Sequence, residues 1–572
     1  MKNIYLTMQK ILKSKYIGYI LIFILTVVIM APMFTVDLTQ NNDAKIHLAR
    51  ILSIDSVIKE GVFPPIIDID YMNGFGYALN LFYGPLTTYI PIILFNIFGT
   101  TGLALKIFTC ITVFLSGITM YKFVFNVTER KSIATISALI YISAPYKLSN
   151  IYARGAVGEY TAFIFIPLVF DGIYNIVNNK KNDFWLCIGI VGLVLSHTIT
   201  TIYTALFAIL FLILNIEKLK KLEIFKKLII NVAIAFLICC FYAIPLLEHT
   251  FGGDYVIYNS DYMYTNGTDV YGTAIGFNDF FSNEFGNQDV RFSLGIATIF
   301  LTLLGIVCFK KIKKEYKSIY LIFAFLAFMA LWMTTKYFPW FSMPNFLGVI
   351  QFAWRNLGFF AFFIVLICGI NAVTFAEQLI KNETMKDTFL FAVVITICTF
   401  AGLGVMRNWN IGDLKNEAEF DKYNLAIDRV YVYSINREYL PTNAFTNLDY
   451  IDNREDKTYI LNGNATITQE EKNGLEDTIL LENIKENTKL ELPYIFYLGY
   501  DVQVSYNNGE YEKVDTFESE NGFLTIKLNS SDLATVKVEY KGTVIEKISY
   551  IVSVIGVIIL FIYIKFSIED RP

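Results

Sequence analysis

The chain has 572 residues, of which 55% are hydrophobic and only 17% charged, with a net charge of −4. Soluble domains average about a quarter charged residues, so this composition excludes an ordinary soluble protein. The apolar excess sits in long uncharged runs that suit a bilayer, and no nucleic-acid partner is expected.

The absences narrow the chemistry. No G-x-x-x-x-G-K-S/T loop and no H-E-x-x-H occur, so neither a nucleotide motor nor that zinc protease pattern is present. All seven cysteines (Cys110, Cys187, Cys239, Cys240, Cys308, Cys368, Cys398) fall in apolar runs at spacings that fit no zinc site. They read as small apolar core residues, without disulfides. The expected spans hold almost no ionisable group in mid-membrane, and no internal repeat is visible. Both features weigh against a secondary transporter.

In chain order, Lys2, Lys10, Lys13 and Lys15 precede the first apolar run, Tyr16–Val36. That run reads as a retained anchor with its basic flank in the cytoplasm. Further basic clusters, Lys122 to Lys131, Lys180–Lys181, Lys218 to Lys227 and Lys310 to Lys317, are also expected inside. An even number of crossings must then separate neighbouring clusters. This parity makes Leu81–Phe98, interrupted by Pro85 and Pro91, a partly embedded interfacial helix. It splits Phe184–Asn215 into a hairpin of two short legs with its apex near His197. About twelve spans result: 16–36, 103–124, 132–149, 160–177, 184–198, 200–215, 228–248, 293–309, 318–335, 356–376, 388–405 and 548–564. The fold class is an all-α polytopic membrane protein with a β-rich domain before the last helix, and both termini are expected inside.

Three segments face outside on this scheme: 37–83, 250–292 and 406–547. The last holds 26 acidic and 15 basic residues, while the remainder of the chain carries about +7. It contains alternating stretches at Lys457–Ile460, Thr478–Leu481 and Val502–Tyr506, with Asn-Gly pairs at 462–463, 473–474, 508–509 and 521–522. That pattern predicts hairpins and a β-sandwich-like domain. The expected units are therefore 1–405 in the membrane, 406–547 as the β-rich domain, and 548–572 as the last helix and tail.

Ionisable residues gather at the outer ends of the spans. In the first outer loop, a helix would place Asp43, His47 and Arg50 at i, i+4 and i+7 on one face. Such a face could hold a base, a second polar group and a phosphate-binding cation. A solvated helix with ordinary intrahelical pairs is the alternative. Arg154, Glu159, His197, His249 and Arg355 occupy other outer edges. Asp68 and Asp70 form a D-x-D pair that could hold a divalent cation, or be a chance match in a chain rich in acids. No metal ligand set is assigned. Tyr255, Tyr258, Tyr262, Tyr264 and Tyr271 suit either interfacial anchoring or stacking on sugar faces.

The order of motifs is familiar: Asn42-Asp43…His47…Arg50, Glu60-Gly61-Val62-Phe63-Pro64, Gly74-Phe75-Gly76-Tyr77, Phe82-Tyr83-Gly84-Pro85-Leu86, Ala144-Pro145-Tyr146, Arg154-Gly155-Ala156…Glu159, Ser196-His197-Thr198 and Gln351-Phe352-Ala353-Trp354-Arg355. Over residues 37–360 this resembles the bacterial membrane family called 6-pyruvoyl-tetrahydropterin synthase-related, and the wider YfhO-like group of GT-C integral membrane proteins. Ala353 and Gly84 depart from the pattern, where proline is usual. A pterin synthase is a soluble zinc enzyme with a histidine cluster, which three scattered histidines do not supply.

The resemblance implies a GT-C-like glycosyltransferase of the cell envelope, working outside the membrane on a polyprenyl-phosphate sugar donor and a glycan or envelope acceptor. It implies Asp43 as base or acceptor-orienting group, and His47 and His197 are placed to assist it. Arg50, Arg154, Glu159, His197, Gln351, Arg355 and Tyr83 would contact the substrates, with Glu159 orienting Arg154. The rival readings are a non-catalytic scaffold for envelope polymers and a flippase or transporter of a lipid-linked glycan.

Overall fold

The computed structural model describes residues 16–35, 38–39, 43–59, 61–69, 71–258, 267–281, 292–409, 414–415 and 437–569. Among them, eight helices are long and apolar enough to cross a membrane: Ile17–Thr35, Thr101–Thr128, Val157–Val177, Leu222–Gly252, Lys314–Thr334, Ala353–Leu379, Glu383–Met406 and Val544–Ser567. The other four of the twelve expected spans are helices of 12, 12, 16 and 13 residues: Lys131–Ile142, Trp185–Ser196, Thr198–Ile213 and Ile296–Cys308. Helices of that length reach only about 18–24 Å, short of a hydrocarbon core of about 30 Å. Lys131–Ile142 stops where Ala144 precedes Pro145 and turns extended, because proline disfavours helix at the residue before it. Every residue from Ile133 to Ile142 is buried, so protein rather than lipid surrounds this helix.

The basic clusters come together at one end of the bundle. Lys180 Nζ donates to the Asn126 carbonyl at 2.9 Å, Lys218 Nζ to Asn178 Oδ1 at 2.8 Å and Lys227 Nζ to Asn179 Oδ1 at 3.0 Å. Tyr316, beside the last cluster, donates to the Thr128 carbonyl at 2.9 Å. Arg130 pairs with Glu377 at the same end. The hairpin from Trp185 to Ile213 turns at His197, as parity requires.

The β-rich domain consists of two antiparallel sheets. A short pair, β1 (Leu38–Thr39) with β2 (Leu414–Lys415), lies apart from it. One sheet has the order β3 (Tyr459–Asn462), β6 (Thr488–Ile495), β10 (Phe523–Leu528), β9 (Thr516–Glu518). The other runs β4 (Thr466–Asn473), β5 (Glu476–Ile484), β11 (Ser531–Tyr540), β7 (Tyr500–Tyr506), β8 (Tyr511–Lys513). Three of the four Asn-Gly pairs turn hairpins, at β4–β5, β7–β8 and β9–β10. The fourth, Asn462–Gly463, leads from β3 into β4, which belongs to the other sheet.

The loop 37–83 folds into this domain. Ile67, Tyr71, Phe75 and Tyr77 share one apolar core with Leu490, Tyr494, Val502 and Phe523. Phe75 is fully buried, edge-on to Phe523 at 5.1 Å, and its carbonyl accepts the Ile495 N–H at 2.8 Å. Lys472 Nζ donates to the neighbouring Gly74 carbonyl at 2.8 Å. Gly74 and Gly76 flank the ring at φ +88° and +91°, a region where a Cβ is strained. A Cβ on Gly76 would also stand 2.9 Å from Ile67 Cγ2. The Gly-Phe-Gly-Tyr motif is thus a hook that fastens the loop to the sandwich. Arg454, paired with buried Glu491, closes the same core over the rings of Phe523 and Tyr459 at 4.3 Å each.

Candidate functional site

Asp43 immediately precedes the helix Ala44–Lys59, so His47 and Arg50 lie on the helix while Asp43 sits at its start. Its N–H donates to the Arg154 carbonyl at 2.8 Å, and its own carbonyl accepts the His47 N–H at 3.4 Å. The side chain is half-buried. Burial pushes its carboxyl above the usual value, against the lowering pull of Arg154 and Arg355; nearby Glu159 adds to the rise.

Glu159 is the hub of the cluster. Its Oε2 accepts Arg154 Nη1 at 3.0 Å and lies 3.5 Å from Arg355 Nε. Its Oε1 accepts the Tyr146 hydroxyl and Asn150 Nδ2, the latter at 3.1 Å. The local sequence builds this set. A π-helical turn, Asn150–Arg154, ends at Gly155 with φ +69°, so Arg154 doubles back against Asn150 Oδ1 at 2.8 Å. Glu159 then enters in the first turn of the next helix. On the other side, Arg355 is held by the Ile350 carbonyl at 3.1 Å and Gln351 Oε1 at 3.0 Å. Both guanidinium planes lie on aromatic rings, Arg154 over Trp354 and Arg355 over Phe352, each at 4.7 Å.

Tyr83 joins this cluster to the loop helix. Its ring meets His47 edge-on at 5.4 Å and carries the Arg50 guanidinium at 4.4 Å. Burial pushes its hydroxyl up to about 12, so it stays a neutral donor. Burial, with Arg50 and His197 nearby, keeps His47 neutral, and its Nδ1 has no hydrogen-bond partner. His197 caps the helix Thr198–Ile213 through the Thr200 N–H at 3.3 Å. Gly158 permits this convergence, because a Cβ there would stand 2.9 Å from Tyr83 Oη and 3.0 Å from His197 Cδ2.

The structure therefore brings together Asp43, His47, Tyr83, Arg154, Glu159, His197, Gln351 and Arg355. Arg50 shares Tyr83 but otherwise faces tyrosines rather than Glu159. His249 lies elsewhere, with Nδ1 at 2.9 Å from the Pro245 carbonyl and Nε2 at 3.3 Å from the Leu498 carbonyl of the β-rich domain. Asp68 is buried in a backbone bridge to Tyr77, and Asp70 falls outside the described residues. Among the described residues no group of three His, Cys, Asp or Glu could hold a metal. Tyr255 is buried against Phe82 and Tyr497, and Tyr271 packs on Phe341, while Tyr262 and Tyr264 lie outside the described residues. Sequence reasoning missed Asn150 and Glu438. The spacing Asn150…Arg154…Glu159 on one irregular turn could have flagged the first. Glu438 comes near Asp43 only because the loop and the β-rich domain dock, and burial raises its carboxyl.

A protein of Lactococcus lactis subsp. cremoris strain MG1363, described as uncharacterized, is 28% identical over 340 residues, covering 57% of this chain and 55% of that protein. The chain thus spans little more than half the length of that relative. Among solved structures, the apo Archaeoglobus fulgidus oligosaccharyltransferase matches at TM-score 0.43 and 14% identity, covering 72% of this chain and 58% of that one. The same organism's oligosaccharyltransferase AglB, in complex with an inhibitory peptide and a dolichol-phosphate, matches at TM-score 0.35 and 14% identity, over 75% and 61% of the two chains. The sequence pattern of a membrane-protein family, the 6-pyruvoyl-tetrahydropterin synthase related domain, matches residues 81–408, and the chain belongs to that family.

Proposed function

We propose that the protein is a GT-C-type membrane glycosyltransferase that moves a sugar from a polyprenyl-phosphate donor to an envelope acceptor on the extracytoplasmic face. One observation carries this reading. Glu159 is fully buried, and both its oxygens already serve Arg154, Arg355, Tyr146 and Asn150. Asp43, beside the same two arginines, is only half-buried and is the second carboxylate of the cluster.

Asp43 accepts the proton of the acceptor hydroxyl as that oxygen attacks the anomeric carbon from the face opposite the phosphate, inverting the centre. The bond to the phosphate oxygen breaks with its electron pair, and the departing phosphate needs no proton if cations hold it. Arg50, Arg154 and Arg355 supply such cations, since a guanidinium forks onto phosphate oxygens. Neutral His47 and Tyr83 offer hydrogen bonds without adding charge, and His197 lies near His47.

The test is transfer of labelled sugar from a polyprenyl-phosphate donor in vesicles carrying purified protein. Asp43→Asn is expected to lower the rate by about 10²–10⁴-fold while the protein melts normally. Because burial raises the Asp43 carboxyl, wild-type transfer should fall on acidification at a pH above its ordinary 3.8. Undiminished transfer by Asp43→Asn rules out this residue as base.

A further inference from the structure

Arg50 lines a cleft to which neither Asp43, Arg154, Glu159 nor Arg355 contributes. The cleft has a volume of about 50 Å³. Its walls are largely apolar: Ile54 from the loop helix, Leu81 from the short helix Leu79–Phe82, Phe241 and Pro245 from the helix Leu222–Gly252, and Tyr550 from the last helix.

The charge in this cleft is unbalanced. Arg50 is 1% exposed, yet its Nε and Nη1 have no hydrogen-bond partner. Among the described residues no carboxylate pairs with it; the titratable groups it faces are Tyr83, Tyr439, Tyr71 and Tyr242. A second unpartnered polar atom, Thr88 Oγ1, lies buried on the same cleft. A guanidinium does not shed its proton to escape burial, and an unpaired buried charge is strongly destabilising. The face of Tyr83 at 4.4 Å supplies part of the compensation. The free N–H groups still require an anion, and the apolar walls require a hydrocarbon partner.

We propose that this cleft binds the phosphate headgroup of a membrane amphiphile through Arg50 and Thr88, with the hydrocarbon chain leaving over Phe241, Pro245 and Tyr550 on the outside of the packed helices Leu222–Gly252 and Val544–Ser567. The proposal rests on the lipid-phosphate reading above and assigns the resting phosphate to Arg50, because Glu159 already neutralises part of the Arg154–Arg355 pair. Inorganic phosphate shares the headgroup chemistry but cannot fill the walls. The last helix, which follows the β-rich domain in the chain, thereby becomes a wall of the donor site.

Binding of farnesyl phosphate, farnesol and inorganic phosphate to the full chain in detergent, followed by thermal shift and titration, tests this. Farnesyl phosphate should bind, and the other two at least tenfold more weakly. Arg50→Gln should weaken farnesyl phosphate by about ten- to a hundredfold, with Arg50→Lys between them. Equal affinity in Arg50→Gln, or equal affinity for farnesol or inorganic phosphate, overturns the proposal. If Arg50→Gln fails to fold, a photoreactive farnesyl phosphate on the wild-type chain decides. Labels should map to Pro85–Tyr89, Phe241–Pro245 or Tyr550, and labels confined to Arg154 and Arg355 would overturn it. Because binding is read without turnover, the two proposals fail separately. Headgroup binding at Arg50 in a chain that transfers no sugar sinks only the glycosyltransferase. Transfer that persists with unchanged binding in Arg50→Gln sinks only this site.

Discussion

Arg154 and Arg355, 201 positions apart in the sequence, converge on one carboxylate oxygen, Glu159 Oε2, at 3.0 and 3.5 Å. Removing that oxygen leaves two buried cations facing each other. Glu159→Ala is therefore expected to cost about 3–5 kcal/mol, the range for breaking a buried pair by deleting one partner. Thermal melting of the purified protein reads it, and an unchanged melting temperature would show that the triad carries no strain when unpaired.

Arg355 donates through Nη1 to Gln351 and the Ile350 carbonyl, has Nε 3.5 Å from Glu159, and stacks on Phe352. Arg355→Ala should lower transfer by roughly ten- to several-hundredfold. Arg355→Lys should recover only part, because an ammonium lacks the planar fork. Full activity of the lysine variant at matched protein levels would reduce Arg355 to a helix-end anchor.

Phe75 should matter to a domain nearly 400 residues further on. Phe75→Ala opens a cavity in the sandwich core and is expected to cost about 3–5 kcal/mol. Hydrogen exchange in β6 and β10, the strands its backbone and ring touch, is the sensitive measurement. Protection unchanged there would mean that the hook docks without supporting the sheet.

Asp477 sets a pH dependence for the same sandwich. Its buried carboxyl is pushed up to about 7, first by burial and then by Glu470 beside it, with Lys472 pulling the other way. The folded chain thus keeps a proton that the unfolded chain releases near its ordinary 3.8. Stability should fall as pH rises from about 4 to 7 and recover on acidification across that window. Asp477→Asn should flatten the profile; an unaltered slope would assign it to other groups.

Topology can be checked by cysteine labelling in a background lacking the native cysteines. Positions 43 and 508 should react with an impermeant reagent in intact cells, and positions 220 and 313 only after permeabilisation. Labelling of position 220 from outside would reverse the orientation.

Much of this was legible in the sequence because the forces involved are local. Uncharged runs gave the long helices, Asn-Gly pairs gave three of the hairpins, and Lys180, Lys218 and Lys227 reach one end of the bundle as parity demanded. The short helix within 132–149 was not legible, because a hydropathy run does not show that Pro145 cuts it or that protein encloses it. Arg50 was grouped with the phosphate-binding cations by spacing; that it faces tyrosines rather than Glu159 depends on tertiary packing. The tie between Glu159 and Arg355 crosses 196 positions and depends on tertiary packing alone. The docking of Phe75 was invisible for the same reason: its motif resembles any glycine-rich turn until the strands that cover it are known.

The hook has a consequence for biosynthesis. Phe75 leaves the ribosome long before Ile495 and Phe523, its partners in the core. At about 5–20 residues per second, the interval of roughly 400 residues lasts some tens of seconds. During that interval the apolar face of the loop waits uncovered beside the membrane while most of the helices are inserted. A chain interrupted before β10 would keep its anchors yet hold this face open. Quality control that recognises exposed aromatic surface therefore has a marker here for incomplete synthesis.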